Sequence, residues 1–187
     1  FEQLAKKLNI DFDIFQKGSA SDHFASSQAL WKLCEKNGDI YKTGEFQILA
    51  PESWDKIEPG EFTSEVAADT QIVLRNKIKN EIFIANINVV KNFLPEGTSK
   101  KDYIKKFAKS HGILLQNFQK FEEKETDQGA IFSFEGKRTA SDPVIKFTQN
   151  IAIKEKKVFI ATAAYMTNED EKIKKEADEI VQSLKVF

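Results

Sequence analysis

The 187-residue chain has one cysteine, Cys34, which excludes an intrachain disulfide and any cysteine-rich zinc module. Its two histidines, His23 and His111, lie far apart and supply no metal-ligating spacing such as His-x-x-x-His. Only two of its 28 basic residues are arginine, Arg75 and Arg138, whereas phosphate and base recognition lean on the bidentate guanidinium fork. The eight glycines form neither a G-x-x-x-x-G-K phosphate loop nor a G-x-S-x-G elbow. No apolar run approaches the roughly 20 residues that a membrane-spanning helix needs. Neither sign of charge dominates: 28 basic residues face 29 acidic ones, for a net charge of −1. That balance argues against a domain whose main business is nucleic acid or an anionic membrane.

What is present is enough to build a core. Hydrophobic residues make up 41% of the chain, charged residues 30%, and 16 residues are phenylalanine. Segment 1–45 reads mostly as helix. Phe1, Leu4, Ala5 and Leu8 recur at helical spacing, Asn9 to Phe15 break it, and a second helix is predicted from about Asp22 to Lys36. Ser21 is its N-cap, Phe24, Ser27, Leu30, Trp31 and Cys34 share one face, and Asn37-Gly38 ends it.

From Phe46 the period becomes two. Phe46, Ile48 and Ala50 lead to Pro51, and further strands are predicted at Val66–Arg75 and Ile82–Val90. After a Pro95-Glu96-Gly97 turn, a helix capped by Ser99 with Asp102 carries a stripe of Tyr103, Ile104, Phe107, Ala108, Leu114, Leu115 and Phe118. Strands follow at Ala130–Glu135, Val144–Ile153 and Val158–Met166. In the second of these, Ile145, Phe147, Ile151 and Ile153 alternate with Lys146, Thr148, Asn150 and Lys154, which predicts one buried and one wet face. Val158–Met166 is apolar or small throughout, as for a central strand, and the short Glu155–Lys157 link makes its pairing antiparallel. A closing helix from about Glu169 to Ser183, capped by Asn168 with Glu171, buries Ile173, Ala177, Ile180, Val181 and Leu184. The fold class is therefore α+β, an antiparallel sheet covered by helices.

The chemistry-bearing residues do not converge. His111 reads as a partly exposed structural residue, His23 as a first-turn polar residue, and Cys34, near a helix C-terminus on an apolar face that disfavours the thiolate, as a small buried hydrophobe. The Glu122–Gly129 run, EEKETDQG, lacks the alternating ligands and central glycine of a calcium loop and reads as a solvated strand or loop. Lys100, Lys101, Lys105, Lys106 and Lys109 on one helix, and Lys172, Lys174 and Lys175 on another, read as solvated faces paired with acidic residues. No catalytic residue, cofactor or metal site is predicted, and the expectation is a protein without enzymatic activity.

Two stretches resemble known families. LAKKLNIDFDIF and DHFASSQALWKLCEKNGDIYKTGEF resemble part of the class I aminoacyl-tRNA synthetases, the methionyl type. The matching residues include Phe12, Asp13, Phe15, His23, Gln28, Leu33, Gly38, Asp39, Ile40, Tyr41 and Glu45. The His-x-Gly-His and Lys-Met-Ser-Lys-Ser signatures of that family are absent, so the resemblance implies at most a non-catalytic or truncated fragment. FQILAPESWDKIEP, IANINVV, SKKDYIKKFAKS, TQNIAIKEKKVFIATAAYM and EADEIVQSLKVF resemble the PsbP-like family, whose Pro-x-x-Trp turn is matched by Pro51 and Trp54. Its Ser-hydrophobe-Lys-Val tail is matched by Ser183–Val186. That resemblance implies a Mog1/PsbP-type α/β/α sandwich and an accessory or binding module.

The sequence thus predicts a helical extension over 1–45 and a PsbP-like domain over 46–187 that binds an unknown protein partner, supporting a membrane-associated complex. The chain begins at Phe1 without a signal sequence or lipobox. The PsbP-like resemblance implies an extracytoplasmic or membrane-associated setting, the synthetase-like segment a cytoplasmic one. The sheet's polar face, or the loops around Pro51–Pro59 (Pro51, Trp54 and Pro59) and Thr139–Pro143, are the candidates for partner contact. A small-ligand carrier is the remaining reading, which a deep apolar pocket would favour.

Overall fold

A computed structural model describes residues 21–37, 39–58, 61, 69–78 and 82–187. The helix expected at Phe1–Leu8, the Asn9–Phe15 segment, Gly38 and the start of the Val66–Arg75 strand lie outside the described residues. Two compact units are present, Phe1–Asn37 and Gly38–Phe187. In the first, helix α1 spans Ser21–Asn37, starting at the expected cap. Leu30, Trp31 and Leu33 are exposed on it, and Cys34 is half-buried where a buried apolar residue was expected.

The second unit starts upstream of the expected boundary at Phe46 because Ile40–Lys42 is itself a strand. This β1 pairs antiparallel with β2 (Phe46–Leu49), Ile40 opposite Leu49. Thr43 holds the turn between them: its hydroxyl accepts from the Phe46 amide at 3.0 Å, and its own amide donates to the Phe46 carbonyl at 2.8 Å. The last strand of the chain, β10 (Lys185–Val186), pairs with the other edge of β2.

The remaining strands form one seven-stranded antiparallel sheet, in the order β3-β4-β5-β9-β8-β7-β6. They are β3 (Trp54–Lys56), β4 (Thr70–Asn76), β5 (Asn86–Phe93), β6 (Gln116–Thr126), β7 (Gly129–Lys137), β8 (Ile145–Lys154) and β9 (Lys157–Met166). β9 is the central strand, as its apolar composition requires, and β8 and β9 form the expected tight hairpin, closing with Lys154 opposite Lys157. Helix α2 (Lys100–Leu114) covers one face and helix α3 (Glu171–Gln182) the other. Among the described residues no helix is long and apolar enough to cross a membrane.

Side-chain alternation sorts the core into two layers. On the α3 side, Ile72, Leu74, Ile87, Val89, Phe159, Ala161, Ala163 and Tyr165 meet Ile173, Ala177, Ile180 and Val181 of the helix, with Phe46 and Ile48 of the small sheet. On the α2 side, Phe132, Phe134, Ile151, Ile153, Val158 and Ile160 meet Tyr103, Ile104 and Phe107. Each aliphatic side chain buried in this way contributes about 1.5–3 kcal/mol relative to exposure.

Two expectations are corrected. The second face of β8 is wet only toward its ends: Lys154 is exposed and Lys146 half-buried, whereas Thr148 is 4% and Asn150 6% exposed because α3 lies across them. The Thr148 hydroxyl donates to Asp178 Oδ1 at 2.7 Å, and Asn150 Nδ2 donates to the Val181 carbonyl at 3.1 Å. Helix α2 also ends earlier than its stripe predicted. Leu115 is extended, with φ −115° and ψ 136°, and Gln116 opens β6. Leu115 and Phe118 still join the apolar layer under α2, reaching it from the cap and the strand, while Leu114 is exposed. β6 hides from a period-two reading because its register with β7 shifts between Gln116 and Gln119 and again between Lys120 and Glu122.

Candidate functional site

Pro51 is exposed and opens a turn in which the Trp54 amide donates to the Pro51 carbonyl at 3.0 Å. Trp54 itself is 3% exposed. Its indole Nε1 donates to Glu176 Oε2 of α3 at 3.0 Å, and the Ser53 hydroxyl donates to the same oxygen at 2.7 Å. Of the expected loop residues, Pro51 thus presents a surface, Trp54 anchors the loop from inside, and Pro59 lies outside the described residues. The physical reason is the indole: its large apolar area is buried and its one N–H finds a carboxylate. The Thr139–Pro143 turn is exposed at Ser141 and closed by Asp142, whose Oδ2 accepts from the Thr139 amide at 3.1 Å and pairs with Arg138 at 3.2 Å.

Two groups with displaced protonation, Tyr165 and His111, sit in packing interfaces. The Tyr165 hydroxyl donates to Asp178 at 3.0 Å beneath α3, and burial, then the Asp178 carboxylate, push its pKa well above the ordinary phenol value. His111, expected to be partly exposed, is 7% exposed on the inner face of α2, stacked on Phe134 at 4.2 Å between ring centres and edge-on to Phe107 at 4.9 Å. Burial lowers its pKa, the nearby Gln149 amide partly offsets this, and Lys120 adds to the lowering. Neither His111 Nε2 nor Gln149 Oε1 completes a hydrogen bond. At the edge of the small sheet, Glu45 pairs with Lys91 at 2.6 Å and Lys157 at 2.8 Å, and the two lysines, Lys157 first, hold its carboxyl below the usual range.

The surface lysines divide in a way the sequence did not foretell. On α3, Lys172, Lys174 and Lys175 pair with Glu176, Glu171 and Glu179, as expected. On α2, Lys101, Lys105, Lys106 and Lys109 are exposed and make no ion pair with the described residues, and Lys100 donates to the Ile153 carbonyl at 3.1 Å. The helix cap leaves Asp102 occupied: Ser99 Oγ accepts from its amide and donates to its Oδ2 at 2.6 Å. Two open grooves flank this basic ridge. One, of about 300 Å³, is lined by Gly97, Thr98, Asp102, Lys105, Lys106 and Lys109. The other, of about 290 Å³, is lined by Pro95, Thr98, Tyr103, Lys106, Phe107 and Ser110. The Pro95–Thr98 turn between strand and helix shapes both: Gly97 has φ +73°, and the Thr98 amide donates to the Pro95 carbonyl at 3.1 Å. The visible signal was the KKDYIKKFAKS pattern, lysines at four-residue spacing interleaved with aromatics. Among the described residues no three His, Cys, Asp or Glu side chains are grouped to hold a metal.

No protein-family model and no curated protein matches this sequence. The synthetase resemblance of residues 1–45 finds no support, and two residues that carried it serve the sheets: Ile40 is buried in the small sheet and Glu45 pairs with two strands of the large one. Solved structures, in contrast, match in fold. LpqN of Mycobacterium tuberculosis, involved in cell envelope biogenesis, superposes with TM-score 0.57 at 11% identity over 75% of this chain and 82% of its own. The cyanobacterial PsbP protein CyanoP of Synechocystis gives TM-score 0.53 at 15% identity over 79% of this chain and 91% of its own. The Ran-binding protein Mog1p of Saccharomyces cerevisiae gives 0.54 at 10% identity over 76% and 90%. With helices on both faces of its antiparallel sheet and these neighbours, the chain has the PsbP/Mog1-like fold.

Proposed function

We propose that this protein is a non-catalytic accessory module whose work is to bind another protein. The observation that carries this reading is where its reactive groups lie. His111 and the Tyr165–Asp178 pair, the groups that would be first candidates for acid–base work, hold the two helices against the sheet and face packed side chains. The scaffold's kinship with a Ran-binding protein supports protein binding as a task that this fold performs. The narrower role, support of a membrane-associated complex, rests on the PsbP-like resemblance. Exposed Pro51 and Glu52, on a turn made rigid by the Trp54–Glu176 bond, offer one contact surface.

The full chain, added to a native extract and resolved by size-exclusion chromatography, is expected in a defined complex with another protein. Elution at the size of the free chain under all conditions would overturn the reading. Amino-acid-dependent exchange between pyrophosphate and ATP is expected to be absent, and clear exchange would restore the synthetase alternative.

A further inference from the structure

We infer that α2 and the Pro95–Thr98 turn form the docking groove for an acidic segment of a partner protein that also carries apolar anchors. The inference rests on the module reading above and names the surface and the chemistry of the partner.

The lysine charge on this helix forms no ion pair with the described residues, in contrast to that of α3. Four α2 lysines are free among the described residues, whereas each α3 lysine on the opposite side of the sheet has a glutamate. Lys101, Lys105 and Lys109 recur at four-residue spacing and form one ridge, their stems about 6 Å apart along the axis. Every second residue of an extended peptide advances by about 6.6 Å, so acidic residues at alternate positions meet successive lysines.

The adjoining groove supplies the apolar half of the recognition. Tyr103 and Phe107 stack with ring centres 6.3 Å apart and, with Pro95, line a cleft that shares Thr98 and Lys106 with the basic one. Half-buried aromatic walls beside a charged rim, which a bound peptide would desolvate, are the ordinary anatomy of a peptide-binding site. Concavity favours a peptide over a lipid surface, because the aromatic rings are half-buried in the cleft and do not project as a wedge. Exposed Ile113 and Leu114 at the far end of α2 make the lipid alternative one to test directly.

The probe is a fluorescein-labelled ten-residue peptide alternating Glu with Leu and Phe, read by anisotropy against the full chain. The same peptide with Lys for Glu serves as its control. The acidic peptide is expected to bind, the basic one to bind at least tenfold more weakly, and Lys105→Glu with Lys109→Glu to weaken acidic binding at least tenfold. Lys124→Glu with Lys154→Glu changes net charge equally at exposed positions elsewhere and is expected to stay within twofold. Circular dichroism checks that both pairs fold. Absence of acidic-peptide binding, equal loss in both pairs, or lysine-dependent binding to phosphatidylserine vesicles without peptide binding would each overturn the groove. These results leave the module reading standing, which falls separately if no protein complex forms in extract.

Discussion

Glu176 Oε2 accepts two hydrogen bonds from the same turn, one from the Trp54 indole at 3.0 Å and one from the Ser53 hydroxyl at 2.7 Å, which ties the first strand of the large sheet to the last helix of the chain. Glu176→Ala leaves a buried indole N–H without a partner and is expected to cost about 1–3 kcal/mol. Urea unfolding in a Trp31→Phe background, where Trp54 is the sole tryptophan, reads both the loss of stability and a red shift of emission as water reaches the ring. Unchanged emission and midpoint would show that the bond holds nothing.

Tyr165, Thr148 and Asp178 form a second tie between α3 and the sheet. Tyr165→Phe removes one donor and leaves Asp178 with the Thr148 hydroxyl, at a cost of about 0.5–1.5 kcal/mol. Asp178→Ala strips the acceptor from both hydroxyls and should cost more. A double-mutant cycle between positions 165 and 178 is expected to give a coupling above about 0.5 kcal/mol; additivity would contradict a direct bond.

His111 makes stability depend on pH. Its folded pKa is lowered by burial, so the unfolded chain takes up a proton that the folded chain resists. The contribution of the neutral imidazole is complete above its unfolded pKa of about 6.5 and diminishes as pH falls below it, with a slope of up to about 1.4 kcal/mol per pH unit. Unfolding free energies at pH 7.5 and 5.5 should therefore differ, and His111→Leu should flatten the difference. At more acidic pH, Glu45 adds a separate decline: its lowered folded pKa gives stability above its unfolded value that is lost as pH falls through the folded one.

Gly129 sits where β6 turns into β7, and a Cβ there would lie 1.9 Å from the backbone carbonyl oxygen of Ile151. Gly129→Ala must push two paired strands apart and is expected to cost at least about 2 kcal/mol. Gly44, with open space around its position, is the control: Gly44→Ala should leave the thermal midpoint nearly unchanged.

Much of this architecture was legible in the residues. Ser99 and Asp102 marked a helix start because hydroxyl and carboxylate can satisfy orphan amides; in the structure the Ser99 hydroxyl accepts from the Asp102 amide, while the Asp102 carboxylate accepts from that hydroxyl. Pro95-Glu96-Gly97 marked a turn because Gly97 must take a positive φ. β6 was read only in part, its Glu122–Thr126 end as a solvated strand or loop, because its bulges break alternation and its charged residues resemble a loop; it is an edge strand, where exposed charge discourages pairing with another chain. Of the loop expected to meet a partner, Pro51 is exposed, whereas the depth of Trp54 depends on a carboxylate 122 residues away.

The sequence by itself determined the kinds of elements, the antiparallel hairpin of β8 and β9, and the central position of β9, because local caps, turn residues and two-sided apolar composition are properties of short segments. Only the tertiary structure decided which polar residues are core. Thr148 and Asn150 alternate like solvent-facing residues and become buried because α3 brings Asp178 and the Val181 carbonyl to meet them. It also decided which lysines are free. Those of α3 have glutamates within one turn of their own helix, while the one carboxylate on α2, Asp102, is taken by Ser99, and no ion pair joins the ridge to a described acidic residue.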